Sequence, residues 1–132
     1  MSNASEATAL RILVVDDEPI YREYLGQFLG HQGMCVRTAE TGMEAIAIGR
    51  EFRPDVLLLD WMLRSEMQGI EVAAALQQAL PELRILLMTG FSTADVLGAR
   101  TRVDVADILE KPFALGDLSR SIGRAVAGRS PR

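Results

Sequence analysis

Arg11-Ile12-Leu13-Val14-Val15-Asp16-Asp17-Glu18-Pro19 is the stretch that decides the fold. Its aliphatic run shows no alternation with polar residues, as in a strand covered on both faces by helices. The run stops abruptly on three carboxylates, and Pro19 then suits an early position of a helix. Tyr21, Leu25, Phe28 and Leu29 share one face of that helix, which Gly30 or Gly33 ends. A buried strand followed at once by an amphipathic helix is the opening of a βαβ unit.

The pattern recurs along the chain. Further strands are predicted at Met34-Cys35-Val36-Arg37, Asp55-Val56-Leu57-Leu58-Leu59, Arg84-Ile85-Leu86-Leu87-Met88 and Asp107-Ile108-Leu109. Thr41 is placed to cap a second helix carrying Met43, Ile46, Ala47 and Arg50, and Pro54 prevents its continuation. A third helix is expected from about Ile70 to Ala79, closed by Pro81. A fourth, over residues 92–100, has Ser92 as its cap but only Val96 and Leu97 as an apolar face. A fifth, from about Leu115 to Ala127, sets Leu118, Ile122 and Val126 one turn apart. Strict alternation of strand and helix implies right-handed crossovers and a doubly wound parallel sheet. Ligands of such sheets bind beyond the carboxyl ends of the strands.

Composition fits one domain. The chain has 132 residues, of which 48% are hydrophobic and 24% charged, enough for one core and a soluble surface. No apolar run approaches the roughly 20 residues needed to cross a bilayer. Residues 1–9 carry no basic segment leading into an apolar block, and Ser2-Asn3-Ala4 resembles an appended tag, so they are left out of the fold. The domain is expected over residues 10–127, with residues 128–132 as a tail. A single cysteine, Cys35, can form no internal disulfide, which fits the cytoplasm, and a small buried role suits it. A net charge of −4 argues against a nucleic-acid surface, and Arg120, Arg124, Arg129 and Arg132 read as solvated charges.

The chemistry is expected at the strand ends. Asp16, Asp17 and Glu18 follow the first strand, Asp60 the third, Thr89 the fourth, and Lys111-Pro112 the fifth. Carboxylates converging on one edge repel each other, so they raise one another's pKa or recruit a cation. Mg²⁺ meets that need through oxygen ligands, with Asp17 and Asp60 binding directly and Asp16 through water. A carboxylate held beside Mg²⁺ can attack phosphorus, which assigns Asp60 as a nucleophile. The Lys111 ammonium and the Thr89 hydroxyl would then face the transferring oxygens. Each residue alone has an ordinary structural explanation as cap, turn or solvated charge. Their joint order at successive strand ends does not.

On these residues the sequence resembles the receiver domains of two-component response regulators. The carriers are Ile12 to Pro19, Pro54-Asp55-Val56-Leu57-Leu58-Leu59-Asp60, Met88-Thr89-Gly90 and Glu110-Lys111-Pro112-Phe113, and the resemblance covers about residues 10 to 127. It implies a flavodoxin-like α/β fold with five parallel strands in the order 2-1-3-4-5 and five helices. It further implies Mg²⁺-dependent transfer to Asp60 from a sensor histidine kinase or phosphotransfer protein, a metal ligand from the Met62 backbone carbonyl, and a cis Lys111-Pro112 peptide. Signalling to a downstream protein would run through the fourth helix, fifth strand and fifth helix, with phosphorylation-dependent dimerisation as one outcome. The kinase would dock near Tyr21, Leu25 and Phe28, positions that core packing explains equally well.

Three departures from the family pattern stand out. After Asp60 the family's proline is replaced by Arg64 and its glycine comes one place late, at Gly69, which suggests a one-residue insertion within 61–68. Ile108 holds the place of a mobile aromatic, so a switch working with Thr89 must take another form. Trp61, Met62 and Phe91 crowd the site. The alternative is a phosphorylation-independent interaction module, which the intact Asp60, Thr89 and Lys111 oppose. An aspartyl-nucleophile phosphatase would need an acid two residues after Asp60, where Met62 stands, and a flavodoxin would need a hydroxyl- and glycine-rich phosphate loop after the first strand. Both a stand-alone receiver and one domain of a longer regulator or hybrid kinase are compatible with the sequence.

Overall fold

The computed structural model describes residues 9–63, 67–90 and 103–127. Five strands, β1 (Arg11–Val15), β2 (Cys35–Ala39), β3 (Val56–Asp60), β4 (Arg84–Thr89) and β5 (Val105–Glu110), form one sheet ordered β2-β1-β3-β4-β5. Every neighbouring pair is parallel. Four helices lie among the described residues: α1 (Pro19–His31), α2 (Gly42–Phe52), α3 (Gly69–Ala79) and α4 (Leu115–Ala127). The fourth helix expected over residues 92–100, together with Phe91, Arg64 and the terminal segments at 1–8 and 128–132, lies outside the described residues.

Alternation along each strand divides the core in two. Leu13, Val15, Leu57, Leu59, Ile85 and Leu87 face α2 and α3, while Ile12, Val14, Val56, Leu58, Leu86 and Met88 face α1 and α4. All twelve are fully buried, and each side chain withdrawn from water contributes about 1.5–3 kcal/mol before entropy is counted. Continuous aliphatic runs in β1, β3 and β4 are therefore a consequence of having helices on both sides.

Asp55 organises the amino end of the sheet. Its buried carboxylate accepts the Arg11 N–H at 2.8 Å, its own N–H donates to the Arg11 carbonyl at 2.8 Å, and its carbonyl accepts the Arg84 N–H at 3.0 Å. One residue thus sets the register of three strands. In that register Val15, Leu59 and Leu87 are level, and β3 and β4 run on to Asp60 and Thr89.

The helices begin and end as their residues dictate. The Thr41 hydroxyl accepts the Glu44 N–H at 3.2 Å, and the Glu71 carboxylate accepts the Gln68 N–H at 2.8 Å at the start of α3. Gly33, with φ of 88°, turns the chain from α1 towards β2. Of the residues named for α2, Ile46 packs against the core. Met43 is 73% exposed, Ala47 and Arg50 also face solvent, and the helix instead buries Gly42, Ala45 and Gly49. A Cβ on Gly49 would meet Leu76 Cδ2 at 2.6 Å, so α2 and α3 approach too closely for larger residues. Contact here is made by the smallest side chains, which a count of apolar bulk overlooks. Cys35 is half-buried rather than buried. No helix among the described residues is long and apolar enough to cross a membrane.

Two glycines separate packing from propensity. A Cβ on Gly69 would lie 2.8 Å from the Trp61 carbonyl oxygen and 3.0 Å from that of Asp60, both backbone atoms, whereas Gly123 in α4 has open space around it. Gly69→Ala is expected to lower unfolding stability by about 1–3 kcal/mol, and Gly123→Ala to raise it by about 0.5–1 kcal/mol, both read from urea denaturation.

Asp107 ties β5 to α4 by accepting from the Ser121 hydroxyl at 2.6 Å and from Arg124 at 3.0 Å. Burial opposes its ionisation, but hydrogen bonds from Ser121, the Ile108 N–H and Arg124 outweigh it and hold the pKa below the ordinary value. A lowered carboxylate pKa adds stability that is complete above the unfolded value and is lost as pH falls through the folded one. Asp107→Asn should therefore destabilise the fold at pH 7 and flatten the acid limb of its stability profile, measured by thermal melts from pH 7 to pH 3.

Candidate functional site

Three strands deliver carboxylates and a hydroxyl to one end of the sheet. β1 ends immediately before Asp16 and Asp17, β3 ends on Asp60 and β4 on Thr89. Asp16 and Thr89 are fully buried, Asp60 is 7% exposed and Asp17 is half-buried. One oxygen from each of Asp16, Asp17 and Asp60 can be chosen so that all lie within 4.8 Å of one another. Lys111 arrives from the loop after β5, its main-chain N–H donating to the Thr89 carbonyl at 2.7 Å. The Lys111–Pro112 peptide is cis.

Hydrogen bonds fix the acidic groups individually. The Asp16 Oδ1 accepts the Glu18 N–H at 3.0 Å, and its Oδ2 accepts from Lys111 Nζ at 2.8 Å. Arg22 of α1 donates to the Asp16 carbonyl at 2.7 Å, so the strand end is held from the helix side as well. The Asp60 Oδ1 accepts the Met62 N–H at 3.1 Å, while its Oδ2 lies 3.7 Å from Lys111 Nζ. The ammonium is therefore bonded to Asp16 and only near Asp60. Trp61 N–H donates to the Met88 carbonyl at 2.8 Å, carrying the β3–β4 ladder past Asp60.

Charge is poorly balanced here. Burial pushes the Asp60 carboxyl up to about 6; Lys111 opposes this, Asp16 and Asp17 reinforce it, and the Met62 N–H also opposes it. A buried carboxyl beside two others ionises at a cost that an added cation would offset. The donor set is all oxygen, which suits a hard divalent cation. Tyr21, on the first turn of α1, is pushed up to about 12 by its burial and by Asp16, so its hydroxyl stays neutral.

The predicted residues Asp16, Asp17, Asp60, Thr89 and Lys111 come together at this edge. Met62 is placed by the hydrogen bond that its N–H donates to Asp60 Oδ1, and Met62 is 53% exposed. Ile108 lies apart, half-buried in β5 opposite Leu87 and packed on the α2–α3 side of the sheet. Gly69 closes on the Asp60 and Trp61 carbonyls, so the late glycine still packs against the site. Two contributors escaped sequence reasoning. Arg22 is not singled out by the sequence, Tyr21 reads as a core or kinase-docking position of the first helix, and no local signal ties either to a strand end.

Comparison with known proteins agrees with this geometry. The family model for the response regulator receiver domain matches residues 12–123. Among curated relatives, the probable transcriptional regulatory protein TcrX of Mycobacterium tuberculosis is 34% identical over 86% of this chain and 48% of its own length. The response regulator MprA of Mycobacterium avium is 38% identical over 83% of this chain and 47% of its own. The chain thus spans about half the length of these relatives. Among solved structures, the chemotaxis protein CheY4 of Vibrio cholerae superposes with a TM-score of 0.82 at 27% identity, covering 89% of this chain and 98% of that one. The response regulator TrrA of Thermotoga maritima, solved in complex with Mg²⁺-BeF, gives a TM-score of 0.77 at 30% identity, over 88% of this chain and 98% of that one. With its strand order, its acidic edge and these matches in agreement, the chain belongs to the response-regulator receiver domains.

Proposed function

We propose that this domain is a phosphorylation-controlled signalling switch whose phosphoacceptor is Asp60, supplied by a sensor histidine kinase or phosphotransfer protein in the cytoplasm. The observation that carries the reading is the convergence of one oxygen from each of Asp16, Asp17 and Asp60 within 4.8 Å of one another, with the Lys111 ammonium 2.8 Å from Asp16 and 3.7 Å from Asp60. Asp17 and Asp60, with Asp16 through water and the Met62 carbonyl, would hold Mg²⁺, which when bound neutralises carboxylate charge and that of the transferring group. The solved relative that carries Mg²⁺-BeF supports this choice of ion.

The residues divide the transfer among themselves. An Asp60 oxygen forms the new bond to phosphorus as the donor's bond to phosphorus breaks, and the donor leaves with that electron pair. Lys111 contributes positive charge beside the nucleophile, and the Thr89 hydroxyl a hydrogen bond to an equatorial oxygen. The product carries nearly two added negative charges and three acceptor oxygens. Thr89 and Lys111 are the groups able to answer them, and the Thr89 carbonyl already holds the Lys111 N–H. Their displacement would draw on the chain between β4 and β5 and so alter the surface offered to a downstream protein or to a second copy. No aromatic takes part from β5, because Ile108 is packed on the core.

Acetyl phosphate with Mg²⁺ is expected to give a phosphoryl adduct, followed by intact mass, that requires the ion and is absent from Asp60→Asn. Lys111→Ala should form it about 10²-fold more slowly. No adduct from folded wild-type protein would instead favour a phosphorylation-independent interaction module.

The raised pKa of Asp60 predicts a second result. A carboxyl raised from 3.8 to about 6 in the fold costs nothing below the lower value, and its cost grows with pH until it is complete above the higher one. Without Mg²⁺, Asp60→Asn should thus melt at a higher temperature than wild type at pH 7.5 and at the same temperature near pH 4. Saturating Mg²⁺ should narrow the difference at pH 7.5 by stabilising wild type.

A further inference from the structure

The Lys111 ammonium has a neighbour that the carboxylates do not account for. Its Nζ lies 4.4 Å from the centroid of the Tyr21 ring, within cation–π distance. The ring is braced in turn: Phe113, two residues beyond Lys111, meets it edge-on at 6.1 Å and 75°, and Tyr24 lies 6.4 Å away on the next turn of α1. The Lys111 side chain is only 17% exposed, so the ring replaces water on one side of the charge.

We infer that Tyr21 is a positioning residue for phosphoryl transfer, its ring holding the Lys111 ammonium at the site. The inference rests on the phosphoacceptor reading of Asp60. An ammonium has three N–H donors and needs its charge stabilised wherever water is excluded. Asp16 takes one donor at 2.8 Å, and Asp60 at 3.7 Å is beyond hydrogen-bond range. A third carboxylate in place of the ring would add negative charge against the incoming group and engage a further donor. An aromatic face stabilises the cation while offering no oxygen to compete for those donors. Lys111 is thereby held near Asp60 with N–H groups left for phosphoryl oxygens. Tyr21 sits on α1 and Lys111 follows β5, so the contact also braces a loop that the switch must move.

The test uses Tyr21→Phe, which keeps the ring, and Tyr21→Leu, which removes it. In the metal-free protein, the Lys111 Hε protons should show an upfield ring-current shift in wild type and Tyr21→Phe that is lost in Tyr21→Leu. With acetyl phosphate and Mg²⁺, Tyr21→Leu should form the Asp60 adduct about 5- to 30-fold more slowly, the factor equivalent to a cation–π contact of about 1–2 kcal/mol. Tyr21→Phe should stay within about 2-fold of wild type, and Mg²⁺ affinity should be the same in all three. In a Lys111→Ala background the Tyr21→Leu effect should disappear, which a general packing defect would not do. A Lys111 shift that persists in Tyr21→Leu, or equal rates in wild type and Tyr21→Leu, overturns the positioning role and leaves the phosphoacceptor reading standing. A wild-type protein that forms no adduct overturns both.

Discussion

A parallel sheet buried on both faces leaves its polar chemistry only one kind of place to go. β1, β3 and β4 present aliphatic side chains to helices above and below, so charged groups collect where the strands stop. Asp55 at the amino ends and Asp16, Asp60 and Thr89 at the carboxyl ends are the buried polar residues that mark these two edges. The amino edge is closed: Asp55 bonds the main chain of β1 and β3 directly and receives β4. The carboxyl edge is left with an excess of negative charge. That contrast is the difference between a residue that sets register and residues able to do chemistry.

The acidic edge is costly by itself. Asp16 and Asp60 share the Lys111 ammonium, and burial, reinforced by Asp16 and Asp17, makes Asp60 hold its proton more tightly than an isolated carboxyl would. Such a cluster is tolerated because the sheet beneath it is rigid and fully packed, and because Asp16 is held at its backbone by Arg22 and at its side chain by Glu18 and Lys111. Stability stored in the aliphatic core thus supports an electrostatic arrangement that would not persist in a looser scaffold. The same arrangement is primed for ligands that bring positive charge, and for any event that redistributes the Lys111 contacts.

Lys111 joins several elements at the acidic edge. Its main chain hangs from Thr89, its ammonium reaches Asp16, and its neighbour Phe113 packs on Tyr21. These contacts connect the ends of β1 and β4 with α1 through one residue and its near neighbour. Ile108, half-buried opposite Leu87, packs on the α2–α3 side of the sheet and does not reach the acidic groups.

The strands, the helices at 19–31 and 115–127, and the residues brought to the acidic edge were legible in the sequence, because hydrophobic periodicity and strand-end position are local properties of a covered parallel sheet. The strand order 2-1-3-4-5 was legible only through family resemblance, since periodicity says which faces are buried and not which strands are neighbours. The inner face of α2 was not legible, because its contact with α3 is so close that Gly42, Ala45 and Gly49 make it, and small residues carry almost no periodic signal. Only the tertiary structure could place the Tyr21 ring against an ammonium 90 positions later in the chain, or show Lys111 bonded to Asp16 rather than Asp60. Sequence determined which groups would meet at the sheet edge; how they share charge depends on distances of a few ångströms, which only packing sets.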